Sequence, residues 1–132
     1  MKTLLSFSIL SILLISSVYC TNIHKDVKDT TTMRFYEAPN GESPYGYFKI
    51  IDTSKLIVYS QKKRHPRYGS YLKYYYSLST KSRIHELTLE NLEVDFPDNL
   101  KFIKAVKNND ESLEKLIEGM TLVNKLLNES LK

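Results

Sequence analysis

The chain has a single cysteine, no tryptophan and no recognisable catalytic, metal-binding or nucleotide-binding motif. Because Cys20 stands alone, no disulfide can form within the chain, and the stability of the folded part must come from a packed core. The three histidines lack the i, i+4 spacing of a zinc-binding helix. We therefore expect no cofactor and no metal site.

Positive charge is concentrated in one short segment. The formal net charge is +4. The segment KKRHPR supplies four cations, Lys62, Lys63, Arg64 and Arg67. Without these four and Lys2, fourteen Lys and Arg residues remain against fifteen Asp and Glu residues. Because the rest of the chain is close to neutral, a broad basic surface that binds nucleic acid is not expected.

The first twenty residues have the layout of a cleavable secretory signal peptide. Lys2 is followed by an apolar run from Leu4 to Ile15 and then by small and β-branched residues. Cleavage after Cys20 is expected, with Ser17 as an alternative. The run is shorter than the roughly 20 residues of a membrane-spanning helix, which disfavours an uncleaved anchor. A lipoprotein acylated on Cys20 is a third reading, disfavoured by the bulky residue before it.

The sequence after the signal predicts one domain preceded by a loose segment. Residues 21–32 are polar and contain few aliphatic side chains, so we expect a flexible N-terminal arm. Residues 33–132 are long enough for a single hydrophobic core and too short for two domains.

Short β-rich segments separated by turn residues occupy the first half of this domain. The predicted strands are residues 33–37, 45–51, 55–61, 71–79 and 83–87. Asn40 and Gly41 favour a tight turn after the first strand. The basic segment 62–67 is predicted to be the loop of a hairpin. Short connections between successive strands indicate an antiparallel β-meander of about five strands.

The fourth predicted strand has the clearest alternation in the chain. One set of alternate residues is predicted to face the core: Leu72, Tyr74, Tyr76 and Leu78. Tyr71 and Tyr75 are then expected on the outer face, with Lys73 between them. Aromatic side chains on an open sheet face can form a flat platform for a ligand. The alternative is that the helices cover this face, or that these tyrosines only favour the strand.

Helical periodicity replaces alternation in the second half. Thr88 is a predicted N-cap, and Pro97 suits the first turn of a second helix. A last helix capped by Asn109 or Asp110 is predicted to run for about four turns, because apolar residues recur at helical spacing up to Leu127. Since strands come first and helices later, the fold class is α+β, with two or three C-terminal helices packed on the meander.

Two segments of the helical half also resemble a known group of proteins. ELTLENL, from Glu86 to Leu92, and FPDNLKFIKAV, from Phe96 to Val106, resemble the C-terminal half of small uncharacterised exported proteins of Gram-negative bacteria. The resemblance implies a periplasmic or outer-membrane location. It implies no activity and assigns no functional residue.

The candidate binding residues are the basic segment and the outer tyrosines. They are Lys62, Lys63, Arg64, His65, Arg67, Tyr71 and Tyr75. Cations beside aromatic rings suit phosphate, sulfate or acidic polysaccharide. The alternative interpretation is a solvated loop whose charges keep sheet edges from pairing.

These observations favour a small exported binding domain, secreted or periplasmic, that is not an enzyme. Its partner is expected to be a protein or an anionic surface component, with membrane contact only through the signal segment or a lipid on Cys20. Two other functions stay open. One is a phosphodiester hydrolase in which His65 and His85 act as acid and base, and the other is an inhibitor-like or immunity-like protein.

Overall fold

The computed structural model describes residues 29–30 and 32–132 of the chain. The chain divides into two units, residues 1–30 and 31–132. The predicted signal peptide, Cys20 and most of the predicted arm lie outside the described residues. Within the first unit, a two-residue strand is described, β1 (Asp29–Thr30).

Five strands of the second unit form an antiparallel meander in which each strand pairs with the next along the chain. They are β2 (Met33–Glu37), β3 (Tyr45–Asp52), β4 (Ile57–His65), β5 (Gly69–Ser77) and β6 (His85–Glu86). Three helices follow, α1 (Leu89–Asp95), α2 (Leu100–Lys107) and α3 (Leu122–Ser130). The predicted α+β fold, with a meander followed by helices, is confirmed.

The predicted tight turn between β2 and β3 is also present. Asn40 and Gly41 have positive φ angles of 63° and 70° within a short 3-10 segment, Pro39–Gly41. Asn and Gly adopt this left-handed conformation at the least steric cost. The sequence signal for the turn was therefore sufficient by itself.

The hairpin of β4 and β5 is longer than predicted. β4 continues through the basic residues to His65, which pairs with Gly69, and the turn is only Pro66–Tyr68. The predicted third strand stopped at Gln61, because Lys and Arg do not indicate a strand by their own preference. Backbone pairing across the hairpin extends the strand regardless of side-chain polarity.

The first two helices begin with side-chain caps. Thr88 Oγ1 accepts a 3.3 Å hydrogen bond from the backbone N–H of Asn91, as predicted for the N-cap of α1. The cap of α2 is Asn99, whose Oδ1 accepts from the N–H of Phe102 at 3.1 Å. Pro97 was predicted inside the first turn of this helix, and the structure places it in the preceding turn instead.

The predicted long last helix is wrong. A 3-10 turn, Asp110–Ser112, is followed by a hairpin of two short strands and only then by α3. The strands are β7 (Leu116–Ile117) and β8 (Met120–Thr121). Glu118 and Gly119 form the hairpin turn with φ angles of 56° and 83°, which no right-handed helix accommodates. Apolar residues from Leu113 to Leu127 recur at helical spacing, but the backbone of this segment forms a hairpin before it forms a helix.

Both faces of the sheet are buried near its middle. One core lies between the sheet and the helices, and its buried members include Val58, Tyr76, Phe102, Val106, Val123 and Leu127. A second core lies on the opposite face, and its buried members are Phe48, Tyr59, Tyr75 and Ile84. Tyr75 and Tyr76 are adjacent in β5, so their side chains point to opposite faces of the sheet and pack into different cores. The predicted one-sided sheet is therefore incorrect.

Candidate functional site

The outer half of the β4–β5 hairpin, residues 62–72, projects beyond both cores and is called the distal hairpin below. None of its residues is buried, whereas Val58, Tyr59 and Ser60 just before it are. The described pairing of β3 with β4 ends at Lys49–Ser60, and that of β5 with β6 covers only Tyr75 and Tyr76. The distal hairpin is thus a two-stranded ribbon without a paired neighbour on either edge in residues 32–132.

The cations of the distal hairpin have no acidic partner among the described residues. The ion pairs of this part of the chain involve other basic side chains, Lys73, Arg83, His85 and Lys125. The sequence explains the imbalance, because residues 53–85 contain no Asp or Glu. Four positive charges are therefore available to solvent or to a ligand, those of Lys62, Lys63, Arg64 and Arg67.

The turn of the distal hairpin is organised around His65. Its ring stacks on Tyr68 with centroids 4.7 Å apart and planes at 29°. Its Nδ1 accepts a 3.1 Å hydrogen bond from the backbone N–H of Arg67. Because Nδ1 accepts in this arrangement, a neutral His65 ring carries its proton on Nε2. Tyr68 itself is 82% exposed, so the stacked pair forms the tip of the ribbon.

Behind the tip, cations stand opposite apolar side chains. Lys63 pairs with Tyr71 across the ribbon, and Lys62 pairs with Leu72. Directly opposed residues share a face and successive residues alternate between faces. One face therefore carries Lys63 with Tyr71, and the other carries Lys62 with Leu72. Tyr71 is 50% and Leu72 54% exposed.

The predicted tyrosine platform does not exist. Tyr75 was expected on an open face beside Tyr71, but it is 2% exposed in the second core, and its ring meets Phe48 at 5.1 Å. Burial raises the pKa of the Tyr75 hydroxyl. The sequence could not show this, because the strand that supplies Phe48 lies two strands away. Leu72, which was predicted inward, is exposed instead.

Lys73, between the two tyrosines, is ion-paired. Its Nζ lies 2.8 Å from Glu86 Oε2. This hydrogen bond, together with the charge of Glu86, raises the pKa of Lys73. Lys73 therefore belongs to the pairing of β5 with β6 and does not add to the free charge of the distal hairpin.

A hydrogen-bonded cluster that the sequence did not indicate surrounds His85. Asp95 Oδ2 accepts a 2.6 Å hydrogen bond from the Tyr76 hydroxyl and lies 3.2 Å from His85 Nδ1. Burial, then the hydrogen bond and charge of Asp95, raise the pKa of Tyr76 strongly. Asp95 comes from the end of α1, so only the packing of this helix on the sheet brings the three side chains together.

His85 also lines an open cleft of about 430 Å³. Its lining includes the polar residues Ser43, Tyr75, Arg83, His85, Glu86 and Asn91. Arg83 is 3.5 Å from Glu42, and Asn91 Nδ2 donates to the backbone oxygen of Glu86 at 2.9 Å. In residues 32–132 no serine, threonine or cysteine hydrogen-bonds to His85. The cleft thus offers polar contacts without an activated nucleophile.

His65 and His85 do not share a site. His65 pairs with Gly69 and His85 with Tyr76, at opposite ends of β5. Seven residues of strand separate these positions, which corresponds to roughly 23 Å. General acid–base catalysis needs both groups within hydrogen-bond reach of one substrate. The geometry gives no basis for the paired-histidine hydrolase.

Two further properties concern the described residues as a whole. No three His, Cys, Asp or Glu side chains among them are grouped so that they could hold a metal ion. None of the helices described is long and apolar enough to cross a membrane.

No protein-family model, curated protein or solved structure matches the chain. The basis for a function is consequently the geometry of the described residues.

Proposed function

We propose that the protein is an exported, non-enzymatic binding domain that holds an anionic partner on its distal hairpin. The observation that carries the proposal is the group of four cations without acidic partners on a ribbon outside both cores. Export rests on the signal-like first twenty residues. The ribbon begins at the two cores, and the stacking of His65 on Tyr68 orders its turn.

The arrangement of charge supports binding rather than passive solubility. Like charges on neighbouring positions repel each other, and oppositely charged neighbours would relieve this at no cost to the fold. No such neighbours occur among residues 53–85. An anionic partner that reaches several cations at once would gain from charge-assisted hydrogen bonds, most strongly with the guanidinium groups of Arg64 and Arg67.

The alternative is that these cations only prevent the open ribbon edges from pairing with other chains. That role requires charge alone and is best served by a polar ribbon. The distal hairpin instead exposes Tyr68, Tyr71 and Leu72 beside its cations. Exposed apolar side chains would promote the association that edge protection is meant to prevent. The combination therefore fits a contact surface better.

A charge-matched comparison tests the proposal. The first variant replaces the four cations of the distal hairpin by serine, K62S/K63S/R64S/R67S. The control replaces four exposed lysines outside the helices and the hairpin, K55S/K81S/K115S/K132S. Both variants lose the same charge. We measure the salt concentration at which each protein leaves a column of immobilised dextran sulfate.

The expected result is a much lower elution salt for the hairpin variant than for the control, because the clustered cations act together. Thermal unfolding should be unchanged, since all four side chains lie outside the cores. Equal elution of the two variants would show that only net charge matters, and the proposed site would be rejected. A wild type that is not retained would reject it as well.

A further inference from the structure

We infer that the anionic partner is the surface of a phospholipid membrane, and that the distal hairpin inserts its tip among the lipid headgroups. This inference rests on the proposed function, because it requires that the hairpin bind anions. The inference also assigns a role to the exposed apolar side chains of the hairpin, which a purely electrostatic contact would not involve. Tyr68, Tyr71 and Leu72 are 82%, 50% and 54% exposed.

The distribution of these residues around the ribbon identifies the kind of partner. Tyr71 and Lys63 occupy one face, Leu72 and Lys62 the other, and Tyr68 the tip. A flat protein or polysaccharide surface can contact only one of these faces. A layer of lipid headgroups surrounds an inserted ribbon and provides both anionic groups and an apolar boundary on all sides. Tyrosine is enriched at this boundary.

The dimensions of the ribbon agree with insertion to headgroup depth. From Leu72 to Gly69 the strand rises roughly 10 Å. The polar layer on each side of a bilayer is roughly 5 to 8 Å thick. Because this segment is slightly longer than the layer is thick, a tilted ribbon would place the tip, the Lys63–Tyr71 pair and the Lys62–Leu72 pair among the headgroups.

The open edges of the ribbon set a limit to this depth. Neither edge of the distal hairpin is paired with another strand in the described part of the chain. Unpaired backbone groups are not tolerated in the hydrocarbon interior, where nothing can hydrogen-bond to them. Among the headgroups, water and phosphate oxygens can satisfy them. The contact is thus interfacial, and it differs from the sequence-based expectation of membrane contact only through the signal or a lipid on Cys20.

The test uses protein purified after export of the full chain, with its intact mass measured to establish the processed form. Binding is measured by co-sedimentation with vesicles of phosphatidylcholine, with or without phosphatidylglycerol. The same preparations are tested for binding to soluble dextran sulfate. Three proteins are compared with wild type: the variant lacking the four cations, an apolar-tip variant Y68S/Y71S/L72S, and a control V94S/L100S/L131S. The control residues are 75%, 75% and 64% exposed and lie in the helical half.

We expect wild type and control to bind the anionic vesicles and to bind neutral vesicles far less. Loss of the four cations should weaken vesicle binding several-hundredfold, since each contributes about fivefold near an anionic membrane. The apolar-tip variant should lose at least tenfold in vesicle affinity and keep its affinity for dextran sulfate.

The two proposals can fail separately. Binding of wild type to dextran sulfate but not to anionic vesicles would overturn the membrane inference and leave the anionic binding site in place. An apolar-tip variant that binds vesicles as well as wild type would also overturn the membrane inference and leave the anionic binding site in place. Failure to bind either probe would overturn both proposals. Tyrosine-to-serine changes at exposed positions should leave circular dichroism and the melting temperature unaltered, which excludes unfolding as the cause.

Discussion

The side-chain amide of Asn124 donates a 2.8 Å hydrogen bond to the carboxylate of Asp52, 72 residues earlier in the chain. Its oxygen accepts from the backbone N–H of Leu56 at 2.7 Å, and its nitrogen also donates to the carbonyl of Leu56 at 2.9 Å. Asn124 is fully buried. One side chain of α3 therefore satisfies the polar groups of the turn between β3 and β4.

Replacing this amide should destabilise the protein strongly. Asn124→Ala leaves the backbone groups of Leu56 buried without partners and removes a donor from Asp52. We expect a loss of about 3 kcal/mol in the free energy of unfolding. Asn128→Ala, on the same helix, is the control and should change it by less than about 0.5 kcal/mol. Urea unfolding measures both, and equal effects would contradict the assigned role of Asn124.

Acid should weaken the same network. Burial disfavours the charged form of Asp52, but hydrogen bonds from Asn124, Ser54 and Thr121 outweigh it and lower its pKa to about 2. Because the folded pKa lies below the unfolded value of 3.8, the contribution to stability is complete above about pH 5. It is lost as the pH falls through 4 towards 2, and amounts to at most about 2.5 kcal/mol.

Asp52→Asn isolates this contribution from those of other carboxylates. The difference in unfolding free energy between wild type and variant should be largest near neutral pH and should shrink between pH 5 and pH 2. Unfolding in urea at a series of pH values gives the difference directly. A difference that does not depend on pH would show that Asp52 is not held as a carboxylate by these donors.

Alkali should act through the buried tyrosines. Burial raises the pKa of Tyr75, and burial together with Asp95 raises that of Tyr76. Since both folded values lie above the unfolded value of about 10, their contribution to stability is complete below pH 10 and is lost as the pH rises further. An alkaline titration followed by tyrosinate absorbance should show a late phase. The number of tyrosines in this phase should fall by one in Tyr76→Phe and should not change in the control Tyr68→Phe. Loss of no group in Tyr76→Phe would contradict the burial of this hydroxyl.

The turn between β7 and β8 gives a test that separates the hairpin from the helix that the sequence predicted. Glu118 has a φ of 56°, a conformation that Asn tolerates better than Glu. Its carboxylate is 3.9 Å from Lys125 and largely exposed, so little is lost with it. Glu118→Asn should therefore raise the unfolding free energy by up to about 1 kcal/mol, because Asn-Gly favours this hairpin turn.

In a continuous helix the same substitution would have the opposite effect, because Glu has a higher helix propensity than Asn. A loss of stability in thermal or urea unfolding would thus favour the helix over the hairpin. Glu114→Asn, at a position before the hairpin where no positive φ occurs, is the matched control and should give no gain.

The sequence predicted those features that local chemistry determines. The Asn40–Gly41 turn and the Thr88 cap are set by residues next to each other in the chain, and both were predicted correctly. The last helix was not, because its apolar spacing resembled a helix while a distant residue decides the backbone there. Asp52 accepts the N–H of Thr121 at 2.8 Å, and a continuous helix would direct this N–H to a carbonyl four residues earlier.

The sequence likewise predicted only part of the candidate site. Its cations were visible as a run of basic residues, so Lys62 to Arg67 could be named from composition. Their placement on a strand could not, because the pairing that extends β4 comes from β5. Burial of Tyr75 and the contact of Asp95 with His85 depend on which elements pack together, and no local pattern carries that information.

Three consecutive tyrosines, Tyr74 to Tyr76, lie in β5, and the last two are buried in opposite cores. A shift of β5 by one residue that brings Tyr74 to the place of Tyr75, and Tyr75 to that of Tyr76, would exchange the two faces and still place a tyrosine in each core. Side-chain size therefore does not determine how this strand is aligned with its neighbours. The alignment is then selected by a polar contact that the shift would break, the ion pair between the ammonium of Lys73 and Glu86.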